Sequence, residues 1–520
     1  MNEFKEQIDQ GYSFEGGSIV LGAAMIDGQP IQNTQIKIPL STLNRHGLIA
    51  GATGTGKTKS LQVLAEQMAL NGIPTLLMDM KGDLSGMAQP GETNKHVEFR
   101  HNALGIPYQA EKLLVELFSI SEEAGVRMKA TISEFGPVLL SKILDLNETQ
   151  SGILAIIFAF CDDHNLPLLD LKDFRKTLQY INGEGKDEIE DEYGNISSAS
   201  INTIMRKVVE LEQQGAELFF GEKSFDINDL LFTNSKGIGQ VSIIRLSDLQ
   251  NRPKLFSTFM LSLLAELYET LPEAGDLDKP KLCLFIDEAH LVFSEASDEL
   301  LDQIEVMVKL IRSKGVGIFF CTQLPTDIPD EVLSQLGLKV QHALRAFTAK
   351  DRKAIKSIAE NYPLSDFYKT DELLTNLGIG EALVTGLNER GIPTPLAATL
   401  MRAPATRMGP LTPIEVKDIV EYSTLTEKYN KEIDRESAYE ILEEKINQAK
   451  KEERLKQVAE KEAKEKKVLQ QSKKPYKPKK VVRRTKRRTT TSNSDDIGET
   501  LIREITRGLF GILGMKKRRY

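Results

Sequence analysis

Residues 51–58, GATGTGKT, fill every position of the phosphate-loop pattern G-x-x-x-x-G-K-[ST]. In such a loop Gly51, Gly54 and Gly56 let the backbone turn tightly. Its N–H groups, those of Ala52, Thr53 and Thr55 included, then point at a β-phosphate. The helix that follows adds the partial positive charge of its N-terminus. Lys57 would bridge β- and γ-phosphate oxygens and Thr58 would ligate Mg²⁺, so a nucleoside triphosphate with Mg²⁺ is the expected cofactor pair. A glycine-rich turn can also end a strand for structural reasons alone. Here, however, an apolar strand (GLIA), the full pattern and a helical pattern follow one another in order.

Three further stretches carry groups that would complete a hydrolytic site. LCLFIDEAH, residues 282–290, is an apolar strand ending in two carboxylates. Asp287 at the strand tip suits the Mg²⁺ water shell, and Glu288 can face the γ-phosphate and polarise an attacking water. A buried strand followed by an acidic N-cap is the plainer account of the same residues. GIFFCTQLP, residues 317–325, ends an apolar strand in Thr322-Gln323, at the carboxyl edge where open α/β sheets bind ligands. Gln323 there senses the γ-phosphate or orients water, or else only opens the turn before Pro325. The helix expected over 298–314 has Leu301, Ile304, Val308 and Ile311 on its apolar face and Arg312 off that face, just before Gly315. Arg312 either complements the helix dipole or serves as an arginine finger on a neighbouring subunit's γ-phosphate, an element worth roughly 10³–10⁵ in rate. Arg345, in HALRAF, is the reserve candidate for the finger.

Holding these groups at one edge requires a parallel sheet. From His46 the chain reads as strand, glycine-rich turn, helix over 60–71, a stop at Gly72 and a second strand over 74–80, which is a βαβ unit. Strands are expected again over 240–245, 281–287, 317–322 and 381–385. Between the two sets, 108–220 reads mostly as helix, with runs at 111–118, 137–146 and 153–161 broken by a polar stretch at 183–194. The expected class is therefore α/β, a mainly parallel sheet whose core is split by a helical insertion. The expected segments are a short β lead-in over 1–45, the core over 46–107 and 234–405, the insertion over 108–233, a charged helical extension over 406–470, a basic disordered linker over 471–495 and an amphipathic helix over 496–520.

Composition removes other classes. A chain of 520 residues supports two or three units on a prior of roughly 150 residues per domain. The three cysteines, Cys161, Cys283 and Cys321, lie far apart in apolar runs, which argues against a disulfide framework or a metal site. The N-terminus shows neither a basic nor an apolar leader region, and no apolar stretch approaches the ~18 residues of a membrane span, so a soluble, cytoplasmic protein is expected. Charge is unevenly placed: residues 445–520 carry +16 and the rest −24. Ten Lys or Arg fall within residues 473–488, a basic run suited to nucleic-acid phosphates or to simple solvation. Residues 501–513 resume an apolar face and are followed by KKRR at 516–519, suited to a partner, to self-packing or to an anionic membrane surface.

In combination, NRHGLIAGATGTGKT, MDMKGDLSG, FIDEAHLVF, LIRSKGVGIFFCTQLPTDIP and VQHALRAFT make the chain resemble the HerA/FtsK branch of RecA-like P-loop ATPases, in particular the bacterial HerA-like (YjgR-like) group. SEFGPVLLSKILDLNETQ and LLDLKDFRKTLQYI in the insertion extend the likeness, which spans about residues 15–405. The resemblance implies a RecA-like fold, a homohexameric ring with ATP sites between subunits, and translocation of double-stranded DNA. It carries over Lys57 and Thr58 as phosphate-loop ligands, Asp287 and Glu288 as Mg²⁺ and water-activating carboxylates, Gln323 as sensor and Arg312 as finger. The alternatives are an ATP-driven remodeller or partner-loading ring that docks proteins through its C-terminal helices, and a nucleotide-binding scaffold that does not hydrolyse. Glu288 and Gln323 argue against the scaffold.

Overall fold

Short apolar runs at strand length, alternating between two buried sides, dictate a sheet covered on both faces. In a computed structural model of the chain, which describes residues 2–472 except 251, 276, 295–297 and 434, they form a single twelve-stranded sheet. Its strands are β1 (Ser18–Ile26), β2 (Gln29–Pro39), β3 (Gly47–Ala50), β4 (Thr75–Asp79), β5 (Val115–Ser119) and β6 (Val126–Arg127). They continue with β7 (Val241–Arg245), β8 (Leu282–Ile286), β9 (Val316–Thr322), β10 (Leu338–His342), β11 (Glu381–Thr385) and β12 (Ala397–Met401). The spatial order is β2-β1-β12-β11-β10-β3-β9-β8-β4-β7-β5-β6. From β10 to β6 every pairing is parallel, whereas β11, β12, β1 and β2 extend the β10 side antiparallel.

Side chains alternate between the two faces at a period of two. Leu48, Leu284 and Phe320 enter the core under the helical insertion and the helices Pro253–Thr270 and Asp298–Ile311. Ile49, Phe285, Phe319 and Cys321 enter the other core, against Leu61, Leu64 and Met68 of the helix Lys57–Leu70. Phe285 and Phe319 stack there with ring centroids 4.8 Å apart.

The segment boundaries differ from the sequence reading in four places. The N-terminal residues do not stand apart: after a helix over Asn2–Gly11, β1 pairs with β12 and β2 with β1, so the lead-in is the antiparallel flank of the core sheet. Residues 111–118, read as helix, hold the start of β5 instead. Val115 and Leu117 face one core while Phe118 faces the other, and an apolar run this short carries no periodicity that separates helix from strand. The helical insertion proper consequently begins at Ile132, and its polar break is itself a helix, Lys186–Tyr193. β10 and β12 have no counterpart among the strands expected from sequence: β10 carries the polar Lys339 and Gln341, and β12 is made largely of small residues. Gln341 is nonetheless fully buried, its amide donating to the His342 carbonyl and accepting from the Tyr362 hydroxyl.

Beyond β12 the chain is tied back to the helix Lys57–Leu70. Glu66, on that helix and fully buried, accepts hydrogen bonds from the N–H groups of Ala405 (2.9 Å) and Thr406 (3.3 Å) and from the Thr406 hydroxyl (3.2 Å). Gln62 donates to Thr406 Oγ1 (2.7 Å) and to the Arg407 carbonyl (3.0 Å). Residues 1–451 form one compact unit; of the second, 452–520, the described part is helical. The basic run at 473–488 and the apolar segment at 501–513 lie outside the described residues. Among the described residues no helix is long and apolar enough to cross a membrane.

Burial raises the Glu66 carboxyl from the ordinary 4.5 to about 7, against the opposing pull of its donors and Arg402. A carboxyl raised in the fold favours the folded state fully below about pH 4.5 and loses that contribution as pH climbs through 7. Glu66→Gln should flatten the decline in denaturant-unfolding stability between about pH 5 and 7.5 by on the order of 1–3 kcal/mol. An unchanged slope would mean that Glu66 does not titrate in that window.

Candidate active site

β3 ends at Ala50 and the chain enters its glycine-rich turn through Gly51 at φ +152°, with Gly54 at +78° and Gly56 at +113°. These are backbone conformations that glycine alone adopts readily. Gly51 also needs its missing side chain, because a Cβ there would lie 2.5 Å from Cβ of His342. The turn is pinned on both sides: Gly51 donates its N–H to the Thr322 carbonyl on β9 (3.3 Å) and Ala52 donates to the Ala343 carbonyl past β10 (2.8 Å). Gly380 donates to the Thr55 carbonyl (2.8 Å). The turn before β11 is held in turn by Arg100, which donates to the carbonyls of Ile379 (2.8 Å), Gly380 (2.8 Å) and Met401 (2.9 Å).

His342 completes this frame. Its Nδ1 lies 2.9 Å from the Glu381 carbonyl and its Nε2 2.9 Å from Ser60 Oγ. Burial lowers its pKa to about 4, so the ring is neutral near pH 7. A carbonyl only accepts, which makes Nδ1 the protonated nitrogen and leaves Nε2 to accept from the serine hydroxyl. Neither Arg100, His342 nor Gly380 stands out in the sequence; each makes at least one contact some 280 residues or more away in the chain, which no local pattern announces.

Lys57, 6% exposed, opens the helix Lys57–Leu70 and folds back to 3.3 Å from the Ala52 carbonyl. Burial, the largest influence, holds its ammonium below the ordinary lysine range. A bound phosphate chain would favour the charged form. Thr58 follows it in the first turn, half-buried.

β9 separates β3 from β8, so the carboxylates at the β8 tip stand one strand away from the loop. Asp287 is 1% exposed. Among the described residues no N–H or O–H donor meets either of its oxygens, the nearby Cys321 thiol being only a weak donor. Burial, opposed by Lys81 and reinforced by Glu288, raises its carboxyl to about 6. A buried carboxylate without donors, beside a phosphate loop, fits a hydrated Mg²⁺, which binds one or two carboxylates plus substrate phosphates. Thr58 and Asp287 would hold it, and the ion would neutralise charge on the phosphate oxygens. Glu288 follows at φ +49°, a left-handed conformation uncommon outside glycine and frequent at functional sites. Its carboxylate is ion-paired with Lys81 and lies 3.2 Å from Nδ1 of His290. Burial works against the Lys81 charge, but Glu288 and Asp287 outweigh it and hold the ammonium above the ordinary range.

Gln323, exposed, caps the intervening strand and so stands between the loop and the carboxylates. Asp327 fixes the residues on either side of it, accepting from the Thr322 hydroxyl (2.7 Å) and the Leu324 N–H (2.9 Å). An open cleft of about 570 Å³ lies over Gln323, His290 and Phe293.

The loop, both carboxylates and Gln323 thus share one sheet edge, and Arg312 does not join them. It forms an exposed 3₁₀ turn with Ser313 and Lys314 immediately before β9 begins at Val316. The seven residues of β9 therefore separate it from Gln323, roughly 20 Å at ~3.3 Å per residue. Arg345 is exposed three residues past the end of β10, on the same edge as its own loop.

A glycine-rich turn at the tip of a central parallel strand, with two carboxylates beyond the neighbouring strand, defines a RecA-like P-loop ATPase. More particularly, the chain belongs to the helicase HerA-like C-terminal family, whose model matches residues 25–518. It is 24% identical over 360 residues to the DNA double-strand break repair helicase HerA of Sulfolobus acidocaldarius, covering 68% of this chain and 65% of that protein. It is 26% identical over 351 residues to the DNA import protein CedB of the same organism, covering 67% of this chain and 51% of the relative. The chain thus spans under two thirds of the length of these relatives. Its fold is similar to that of the bacterial conjugative coupling protein TrwB, with a TM-score of 0.50 at 13% identity, covering 78% of this chain and 94% of that one.

Lys81 lies outside every residue set expected from the sequence, although its stretch, MDMKGDLSG, was part of the family likeness. If it orients Glu288, Lys81→Met should leave nucleotide affinity within about threefold and lower ATP turnover about tenfold or more, within the range of positioned acid–base groups. Equal losses in affinity and turnover, measured by calorimetry and steady-state kinetics, would assign it to binding instead.

Proposed function

We propose that the protein hydrolyses ATP with Mg²⁺ as a ring motor of identical subunits, a homohexamer, acting on double-stranded DNA. The observation that carries this reading is the split site. One chain gathers loop, carboxylates and amide at one sheet edge while Arg312 faces solvent at the other, too far to reach its own nucleotide. A neighbour stacked edge to edge would bring its Arg312 to that nucleotide. Phe347, 87% exposed, and Leu324, 39% exposed, both follow carboxyl ends of strands and give this edge apolar surface for such a neighbour to cover.

In the proposed reaction Lys57 holds the phosphates together with loop N–H groups other than those of Gly51, Ala52 and Thr55, which, against the expectation for Ala52 and Thr55, already donate to carbonyls of the chain. Glu288 accepts a proton from water as the water oxygen bonds to the γ-phosphorus, and the bond to the bridging oxygen breaks to release ADP and phosphate. Gln323 orients the water, and the neighbour's guanidinium meets the charge that develops on the γ-phosphoryl oxygens. Arg345, exposed on its own loop's edge, is the reserve candidate for the finger. The names of the HerA and CedB relatives, a repair helicase and an import protein for DNA, support DNA as the substrate.

Double-stranded DNA should stimulate ATP turnover, less so as salt rises. Glu288→Gln should bind ATP yet hydrolyse it at least about 10²-fold more slowly, with or without DNA. Turnover indifferent to DNA at every salt concentration would overturn the DNA reading and favour a motor acting on proteins.

Arg312→Ala and Lys57→Ala chains should each be inactive alone, while mixed assemblies recover turnover because intact loops then meet intact arginines. No recovery in assemblies of verified mixed composition would leave Arg312 without a role across the interface.

A further inference from the structure

The helical insertion leaves an apolar groove of about 460 Å³ between the helix that starts at Ile132 and the helices Pro253–Thr270 and Asp298–Ile311. Phe135, Phe219, Phe259 and Met307 line it, together with Val138, which is 69% exposed. Its carboxylates are those of Glu134, Glu266 and Glu269, all on exposed residues. Among the described residues that line it the only cation is Lys129, which already donates to the Glu222 carbonyl (3.1 Å). The groove is an aromatic slot with a negative rim.

A surface that complements it lies on the same molecule, at the edge that carries the phosphate loop. Phe347 stands just before the cap of the helix Ala349–Glu360, and Asp351 accepts from the N–H groups of Phe347 (2.9 Å) and of the capping Thr348 (2.8 Å). A hydrophobic residue at that position ordinarily packs on the fourth residue of its helix. Here the fourth residue is Arg352, so the phenyl ring is fixed at its base and left in water. Lys350, Arg352, Lys353 and Lys356, all exposed, follow it against the single acid Asp351.

We infer that Phe347 of one subunit is seated in this groove of the next, with the basic start of its helix against the three glutamates. The inference rests on the ring reading above and adds the contact that joins neighbours. Spacing supports it. Met307 lies five residues before Arg312, about 8 Å along a helix. Phe347 lies four residues past Ala343, whose carbonyl holds the loop, and so at most ~14 Å from it. A subunit that brings its Arg312 to a neighbour's nucleotide therefore brings its groove to the part of that neighbour's edge where Phe347 stands. The ring and the groove are different surfaces, so the contact is heterologous and can repeat around a closed ring. An aromatic anchor filling a pocket is the kind of contact that dominates an interface.

The test is cross-linking of the full chain with a short bismaleimide, at concentrations where wild type assembles, the native Cys161, Cys283 and Cys321 being buried. Chains carrying both Phe347→Cys and Val138→Cys should give a ladder of covalent multimers. A mixture of the two single variants should give dimers and nothing larger, and either variant alone only monomer. Phe347→Ala should weaken assembly about thirtyfold in sedimentation equilibrium, the effect of truncating one anchor. Three results would each overturn the contact and leave the ring standing: assembled chains that do not link 347 to 138, which gives the groove another occupant; links between two copies of one single variant; or undiminished assembly of Phe347→Ala. Wild type that stays monomeric at every concentration, with and without nucleotide, would instead remove the ring reading and this contact with it.

Discussion

The structure turns on the absence of a side chain at Gly51. The strand that carries the loop runs between β9 and β10 and must reverse where His342 already fills the space, so that any Cβ would press to 2.5 Å. Because the turn is made there, its first N–H groups are drawn to the Thr322 carbonyl at the end of β9 and the Ala343 carbonyl just past β10. The helix that begins at Lys57 can then start directly behind it, with its N-terminus toward the loop. The neutral His342 ring, the Arg100 brace and the Gly380 contact all serve to hold that one reversal in place.

Strand order distributes the remaining chemistry. A parallel strand separates the loop from the carboxylates, and the gap it leaves is where an amide can stand between them. The same strand sets Arg312 a full strand length from Gln323. Among the described residues no N–H or O–H donor meets the buried Asp287 carboxylate, and Glu288, in a left-handed conformation, is tied to Lys81. Buried groups left in that state are commonly the ones a ligand completes.

What could be read in advance follows from how local each signal is. The loop, the β8 carboxylates and the β9 tip each sit within a run of at most twelve residues that combines an apolar strand with its polar end, and all three are legible. β10 and β12 were not, because burial of Gln341 depends on Tyr362 and small residues in Ala397–Met401 leave no strong alternation. The run at 111–118 was misread because its apolar residues fit either period until the partner strand is known. Lys81, Arg100 and His342 are polar residues whose roles come from neighbours distant in the chain. Pattern alone gives such residues no mark.

The tie between Glu66 and residues 405–406 redefines where the catalytic core ends. A fragment stopped at Met401 would keep all twelve strands. It would also strip a wholly buried carboxylate of the N–H and hydroxyl donors that now face it, on the very helix that begins in the phosphate loop. An ionised group stranded in that way favours unfolding or a proton. The smallest self-sufficient piece of this protein is therefore bounded by the solvation of one acid rather than by its last strand.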